Sequence, residues 1–249
     1  MAMTLAYYTK SNFDDVFAQT RMWDALTYSG LLRANIIVPP RIVKEKNEAF
    51  AGAFVRDPIV GLHENVVSFD LDSLYSHLIM QYNISPETLI EPEDYTEDMR
   101  NIISQGITIE KMLQKRVDLS KIPQGVTITP NGQFFRTSEQ GFLPKLLEGM
   151  YEDRKKAKQV MLAAKREMQS ETDLAKKTEL EKKIAKYNNL QLAMKVTLNS
   201  AYGALGSQYF RFYDLRMATG VTTAGQLSIR WIIDKINVYL NNLLKTESD

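Results

Sequence analysis

Apolar positions along this chain recur in two rhythms, and the longer one is helical. Leu143, Leu147, Met150, Ala157, Met161, Ala164 and Met168 follow one another at steps of three, four or seven. Leu180, Ile184, Tyr187, Leu190, Met194 and Leu198 repeat the pattern further on. Such spacing places apolar side chains on one side of an α-helix. The polar stretch QSETD at 169–173 interrupts it. Two helices of about seven turns, folded back as an antiparallel hairpin, are therefore predicted. A last helix is predicted from about Thr223 to Leu244, carrying Leu227, Trp231, Ile232, Ile236, Tyr239, Leu240 and Leu243. Phe13, Val16, Phe17, Met22, Trp23, Leu26, Leu31 and Leu32 predict one or two short helices within 11–34.

The second rhythm is shorter and β-like. VTITPNGQFFRT sets β-prone runs on either side of Asn131-Gly132, the pair that most favours a two-residue hairpin turn. Val66, Val67 and Phe69 suit a buried strand, and Leu74, Leu78 and Ile79 suit a helix directly after it. Ser85-Pro86-Glu87 reads as a break or a new helix start. Pro39 and Pro40, which cannot donate ladder bonds, open a charged connection. Residues 91–122 are acidic and weakly periodic, and no element is assigned to them. The fold class read from this pattern is α+β, with a small antiparallel sheet, helices and a long protruding helical hairpin.

Composition narrows the chemistry. The 249 residues include no cysteine, which excludes disulfides, thiolate zinc sites, iron–sulfur clusters and thiol nucleophiles. The two histidines, His63 and His77, are too few for a multi-histidine metal centre. No apolar run reaches the ~18 residues of a transmembrane helix, and the start MAMTLAYYTK lacks a signal peptide's apolar stretch. A soluble, intracellular protein without a membrane partner is expected. The formal net charge of +1 conceals an asymmetry. Residues 145–198 hold 13 basic against 8 acidic side chains, and the remainder holds 18 against 22. A basic hairpin joined to an acidic body suits contact with phosphate in one part and with cations in the other. A solvated helix surface would show the same charge pattern.

Two groups of residues carry candidate chemistry. Asp70 ends the run VVSFD and precedes SLYSHLIM, so its carboxylate lies where a strand would meet a helix start. That position suits a hard cation such as Mg²⁺, and the neighbouring amides suit phosphate oxygens. It equally suits a helix cap. Asp72 adds a second carboxylate. On the hairpin, Arg154 and Lys158 lie four residues apart and share a face, as do Lys195 and Asn199. Folding back brings these three cations and one amide toward the open end, as a triphosphate site would require. Polar residues scattered on exposed faces would have the same spacing.

SFDLDSLYSHLI and KVTLNSAYGALGS, in that order, resemble two motifs of the family B DNA polymerases, D-x-x-S-L-Y-P-S and K-x-x-x-N-S-x-Y-G. DRKKAKQVMLAAK is similar to the basic fingers segment of the family. QYNISPETL, PNGQFF, FRFYDLRMAT and TTAGQLSIRWI look most like polymerases of T-even-like bacteriophages, and the likeness runs from about Trp23 to Leu244. The resemblance implies a partial palm carrying a fingers hairpin. Residues 1–50 would lead into the palm, 51–144 form its first part, 145–203 the fingers, and 204–249 a further palm helix.

It also implies roles. Asp70 would be a catalytic metal-binding carboxylate, with the Leu71 carbonyl beside it. Ser73, Leu74 and Tyr75 would lie under the incoming nucleotide, with the Tyr75 ring beneath the deoxyribose to exclude a 2′-hydroxyl. Arg154, Lys158 and Lys195 would hold the triphosphate, with Asn199 beside it. Tyr202 and Gly203 would line the pocket for the new base pair. The cofactor would be Mg²⁺, two ions in the complete enzyme. The partners would be primer-template DNA, deoxynucleoside triphosphates, and the remaining exonuclease, palm and thumb portions. The setting would be the cytoplasm of an infected bacterium.

The sequence departs from the family pattern twice. Ser76-His77 stands where the family has Pro-Ser, which predicts a change in local rigidity without loss of metal binding. No D-T-D motif, the family's source of the second metal carboxylate, occurs anywhere in the chain. That motif and the thumb are expected beyond Asp249, and the exonuclease mostly before Met1. The isolated chain is thus expected to be inactive. A non-catalytic nucleic-acid-binding module and one subunit of a split polymerase remain as alternatives.

Overall fold

The computed structural model of the chain describes residues 1–42, 52–64 and 66–244. In chain order the helices are α1 (Ala2–Thr9), α2 (Gln19–Arg33), α3 (Leu74–Gln81), α4 (Glu97–Ser104), α5 (Ile109–Leu113), α6 (Phe142–Ser170), α7 (Leu174–Leu205) and α8 (Leu215–Leu244). Strands β1 (Val126–Ile128) and β2 (Phe134–Arg136) form an antiparallel pair between α5 and α6. The described residues divide into two compact units, Met1–Asn47 with Gly141–Asp214, and Glu48–Gln140 with Leu215–Asp249.

The first unit is built on the predicted hairpin. On α6 the stripe Leu143, Leu147, Met150, Ala157, Met161 and Ala164 is buried, and α7 buries Leu180, Met194, Leu198, Ala201 and Leu205. Pro144 falls in the first turn of α6, where its missing N–H breaks no helical bond. The connection is capped by Asp173, whose Oδ1 accepts from the Ala175 amide at 2.8 Å. The amino-terminal helices pack on α7 through a cluster of Leu5, Val16, Met22 and Ala193. Arg211 clamps α2 by a two-pronged pair to Asp24, at 2.9 and 3.0 Å. The 11–34 region holds a 3₁₀ turn, Phe13–Phe17, and α2, in agreement with the periodicity.

Burial in this unit shifts one titration. Packing around Tyr8, and secondarily the Asp153 carboxylate, raise its phenol far above the ordinary value of 10.0. A raised folded-state pKa means the folded state keeps a proton that the unfolded chain releases. The associated stability is present below pH 10 and is lost as pH rises beyond it. The melting midpoint of the chain is therefore expected to fall above pH 10, and to fall less in Tyr8→Phe. Equal losses in wild type and variant, followed by circular dichroism, would remove Tyr8 as the cause.

The second unit is small and mixed. The predicted hairpin forms, but its turn is Thr129–Gly132 with Pro130 and Asn131 at the centre, closed by the Gly132 amide donating to the Thr129 carbonyl at 2.8 Å. Gly132 follows at φ 81, a left-handed conformation that glycine adopts without strain. The segment 88–90 runs beside β2, since the Ile90 amide donates to the Phe134 carbonyl at 2.9 Å and the Arg136 amide to the Thr88 carbonyl at 2.8 Å. Phe134 is fully buried among Ile90, Met99, Ile102 and Ile128. Residues 91–122, to which no element was assigned, contain α4 and α5. Each helix is capped by a threonine: Thr96 accepts from the Met99 amide, and Thr108 from the Lys111 amide.

Two expectations are corrected. Val66, Val67 and Phe69 do not form a buried strand. They lie in irregular backbone, 76%, 59% and 60% exposed. Their β-prone composition finds no neighbouring strand among the described residues to complete a ladder. The last helix starts at Leu215 rather than near Thr223. Its early turns, through Met217, Ala218, Val221 and Ala224, are fully buried, and that burial outweighs the poor helix propensity of Thr219, Gly220, Thr222 and Thr223. Helix α1 carries no sequence signal that was read. The connection predicted after Pro39-Pro40 is irregular through residue 42, and its remainder lies outside the described residues. No helix among the described residues is long and apolar enough to cross a membrane.

Candidate functional site

Asp70 lies exposed in the irregular backbone before α3, and Leu71 follows at 39% exposure. Asp70 does not cap the helix. Ser73 holds the cap position in a left-handed conformation, φ 50 and ψ 40, and its hydroxyl donates to Asp72 Oδ1 at 3.2 Å. The positive end of the helix dipole then falls at Ser73, Leu74 and Tyr75, where negative charge is favoured.

The Ser76-His77 departure now has a structural account. Ser76 is buried, and a ring nitrogen of His77 lies 3.1 Å from the Ser73 carbonyl oxygen. The imidazole thus closes back on that carbonyl and ties down the helix start. Tyr75 is half-buried, and burial holds its phenol above the usual range. Its ring lies against Gly225 of α8, a contact with no counterpart in local sequence.

Asp70, Val67, Phe69, Leu71 and Leu74 also line a groove of ≈1100 Å³ with the later turns of α8, among them Trp231, Ile232, Ile236 and Tyr239. Hard oxygen donors here number few. Asp70 supplies a carboxylate and Leu71 a carbonyl, and no cluster of three metal-ligating side chains occurs among the described residues. These donors fit Mg²⁺ in kind but not in number.

The cationic residues belong to the hairpin. Arg154 is half-buried and continues the apolar stripe of α6 between Met150 and Ala157, while Lys158 one turn on is exposed. Lys195 and Asn199 are exposed on α7. Since α6 and α7 pack along each other, height along the hairpin can be read from residue number. At 1.5 Å per residue, Arg154 and Lys195 stand roughly 25 Å and 33 Å from the connection, within about 8 Å of one level. By the same measure Lys158 stands roughly 20 Å from the connection, so these planar and point-like cations, of the kinds suited to phosphate oxygens, spread over about 14 Å of the hairpin's length.

Tyr202 and Gly203 occupy the last turns of α7, with Tyr202 half-buried. Two residues that sequence reasoning missed hold this turn in place. The Gln19 side-chain amide donates to the Ser200 carbonyl, and Trp23 Nε1 donates to Ser200 Oγ at 2.9 Å. A Cβ on Gly203 would meet the amide end of the Gln19 side chain, which would have to swing away. The partners are some 180 residues apart in sequence, and no local pattern could have paired them.

The family model described as DNA polymerase family B matches residues 18–248. The DNA-directed DNA polymerases of Escherichia phage RB69 and Enterobacteria phage T4 are each 30% identical to the chain over its whole length. The chain spans about 30% of the length of these two relatives. The family B DNA polymerase of Pyrobaculum calidifontis shares the fold, with a TM-score of 0.60 and 23% identity over 94% of this chain and 26% of that one.

Proposed function

The chain belongs to DNA polymerase family B, and on that premise we propose that it is the palm-and-fingers portion of an enzyme that extends a DNA primer. Enzymes of this family act on DNA and deoxynucleoside triphosphates and use divalent metal ions. The observation that carries the reading is that the α6–α7 hairpin bears Arg154, Lys158 and Lys195 within about 14 Å of its length, inside the segment matched to the family. In this reading 145–203 are the fingers, 51–144 and 204–249 are palm, and 1–50 lead into it.

Each residue has a role on this proposal. Arg154, Lys158 and Lys195 neutralise the triphosphate, and Asn199 lies beside it. The first turn of α3, Ser73 to Tyr75, lies under the nucleotide, where its helix dipole favours phosphate. The Tyr75 ring sits beneath the sugar and leaves no room for a 2′-hydroxyl. Tyr202 and Gly203 line the base-pair pocket, held by Gln19 and Trp23. Asp70 and the Leu71 carbonyl are the donors this chain offers to Mg²⁺, of which the complete enzyme holds two. The complete enzyme joins the primer 3′-hydroxyl to the nucleotide α-phosphate and releases pyrophosphate. Its setting is the cytoplasm of an infected bacterial host.

The test is binding of Mg²⁺–deoxynucleotide to the 249-residue chain. Each of Lys195→Ala and Arg154→Ala is expected to weaken binding by about tenfold, the equivalent of about 1.4 kcal/mol. Unchanged affinity in both variants would overturn the triphosphate assignment. Binding of DNA whose log affinity falls with log salt, with no nucleotide dependence, would favour a non-catalytic binding module instead.

One observation supports a partner polypeptide. The groove beside Asp70 exposes Val67, Phe69, Trp231 and Tyr239 together, a larger apolar surface than scattered single side chains present. Its proposed cover is the remaining palm polypeptide, which would bring the second carboxylate.

A further inference from the structure

Gly225 lies in the interior of α8, where glycine costs about 1 kcal/mol relative to alanine. It has no positive φ, so conformational freedom does not account for it. Space does. A Cβ at this position would stand 2.7 Å from Cε1 and 3.5 Å from Cδ1 of the Tyr75 ring, and 3.7 Å from Cδ1 of Leu78. Carbon atoms in ordinary contact keep about 3.5–4.0 Å apart, so the ring would have to move by about 1 Å. Leu78 and Ile79 are buried on the same helix as Tyr75, and α3 packs on α8. The ring therefore has no room on the inner side and would move outward.

We propose that Gly225 is a specificity-determining positioning residue: its bare Cα is the seat that holds the Tyr75 ring back far enough to admit a deoxyribose while still excluding a ribose. The inference rests on the sugar-facing role of Tyr75 given above. Gly225 does not touch the nucleotide and acts through the ring alone. Nothing in the two sequence motifs points to it, because it lies 150 residues from Tyr75 and outside both.

The two residues predict opposite arms of one measurement. Affinities of the 249-residue chain for dATP and ATP, each with Mg²⁺, are measured by displacement of a fluorescent nucleotide. Tyr75→Ala is expected to raise ATP affinity toward that of dATP, because the barrier to the 2′-hydroxyl is gone. Gly225→Ala is expected to lower dATP affinity at least about fivefold (near 1 kcal/mol) with ATP little changed, because the ring is pushed into the sugar's space. The double variant is expected to match Tyr75→Ala, since no ring remains to be displaced.

A Gly225→Ala chain that keeps the wild-type dATP-to-ATP ratio would overturn the inference. So would a double variant weaker than Tyr75→Ala toward both nucleotides, which would mark Gly225 as a packing residue only. Tyr75→Ala with no gain in ATP affinity would instead overturn the sugar-facing reading of Tyr75 itself.

Discussion

The purified 249-residue chain is expected to add no nucleotide to a primer-template, a complete loss compared with an assembled polymerase. The reason is a count of ligands. Two-metal phosphoryl transfer needs carboxylates enough to hold both ions against the attacking and leaving oxygens. On the function proposed above Asp70 is the metal carboxylate this chain offers, and the described residues contain no cluster of three metal-ligating side chains around it or elsewhere. A primer-extension assay with labelled DNA and Mg²⁺ checks this. Extension by the chain alone that vanishes in Asp70→Ala would show one carboxylate to suffice and would overturn the reading. Extension that appears only when a second polypeptide carrying D-T-D is added, and vanishes in Asp70→Ala, would establish a split enzyme. The exposed apolar groove next to Asp70 makes that second result physically sensible.

The second large effect concerns stability. Phe134→Ala is expected to cost about 3–5 kcal/mol, a large part of the 5–15 kcal/mol that holds a typical domain together. Phe134 has no exposed surface, packs on Ile90, Met99, Ile102 and Ile128, and meets the Tyr95 ring edge-on with centroids 5.1 Å apart. Its carbonyl also accepts the Ile90 amide, so a collapse of the cavity would disturb the pairing beside β2. Phe69→Ala is the matched control. That ring is 60% exposed, and its removal is expected to change stability by no more than about 0.5 kcal/mol. Urea denaturation of both variants decides the matter. Equal midpoints would mean that the Phe134 cluster is not the core of this unit.

Much of the architecture was legible in advance where the signal is local. The helical hairpin follows from apolar steps of three and four over 29 and 32 residues, long enough for the period to be unambiguous. The β-hairpin was legible from its turn residues, Pro130 and Asn131 at the centre and Gly132 in the left-handed position after them. The family motifs named Asp70, Tyr75, Lys195 and Asn199 as candidates from order and spacing.

What failed to show were features that depend on a distant partner. Helix α8 begins eight residues earlier than its periodicity suggests, because burial of Met217, Ala218 and Val221 overrides propensity. Val66, Val67 and Phe69 have the composition of a strand, but a strand exists only through its neighbours, and these residues stand exposed. Local sequence thus decided which segments coil, turn and carry charge. Tertiary packing alone decided that the Gln19 amide lies against Gly203 and the Tyr75 ring against Gly225. A glycine's value lies in the atom it lacks, and only the approach of another element gives that absence a meaning.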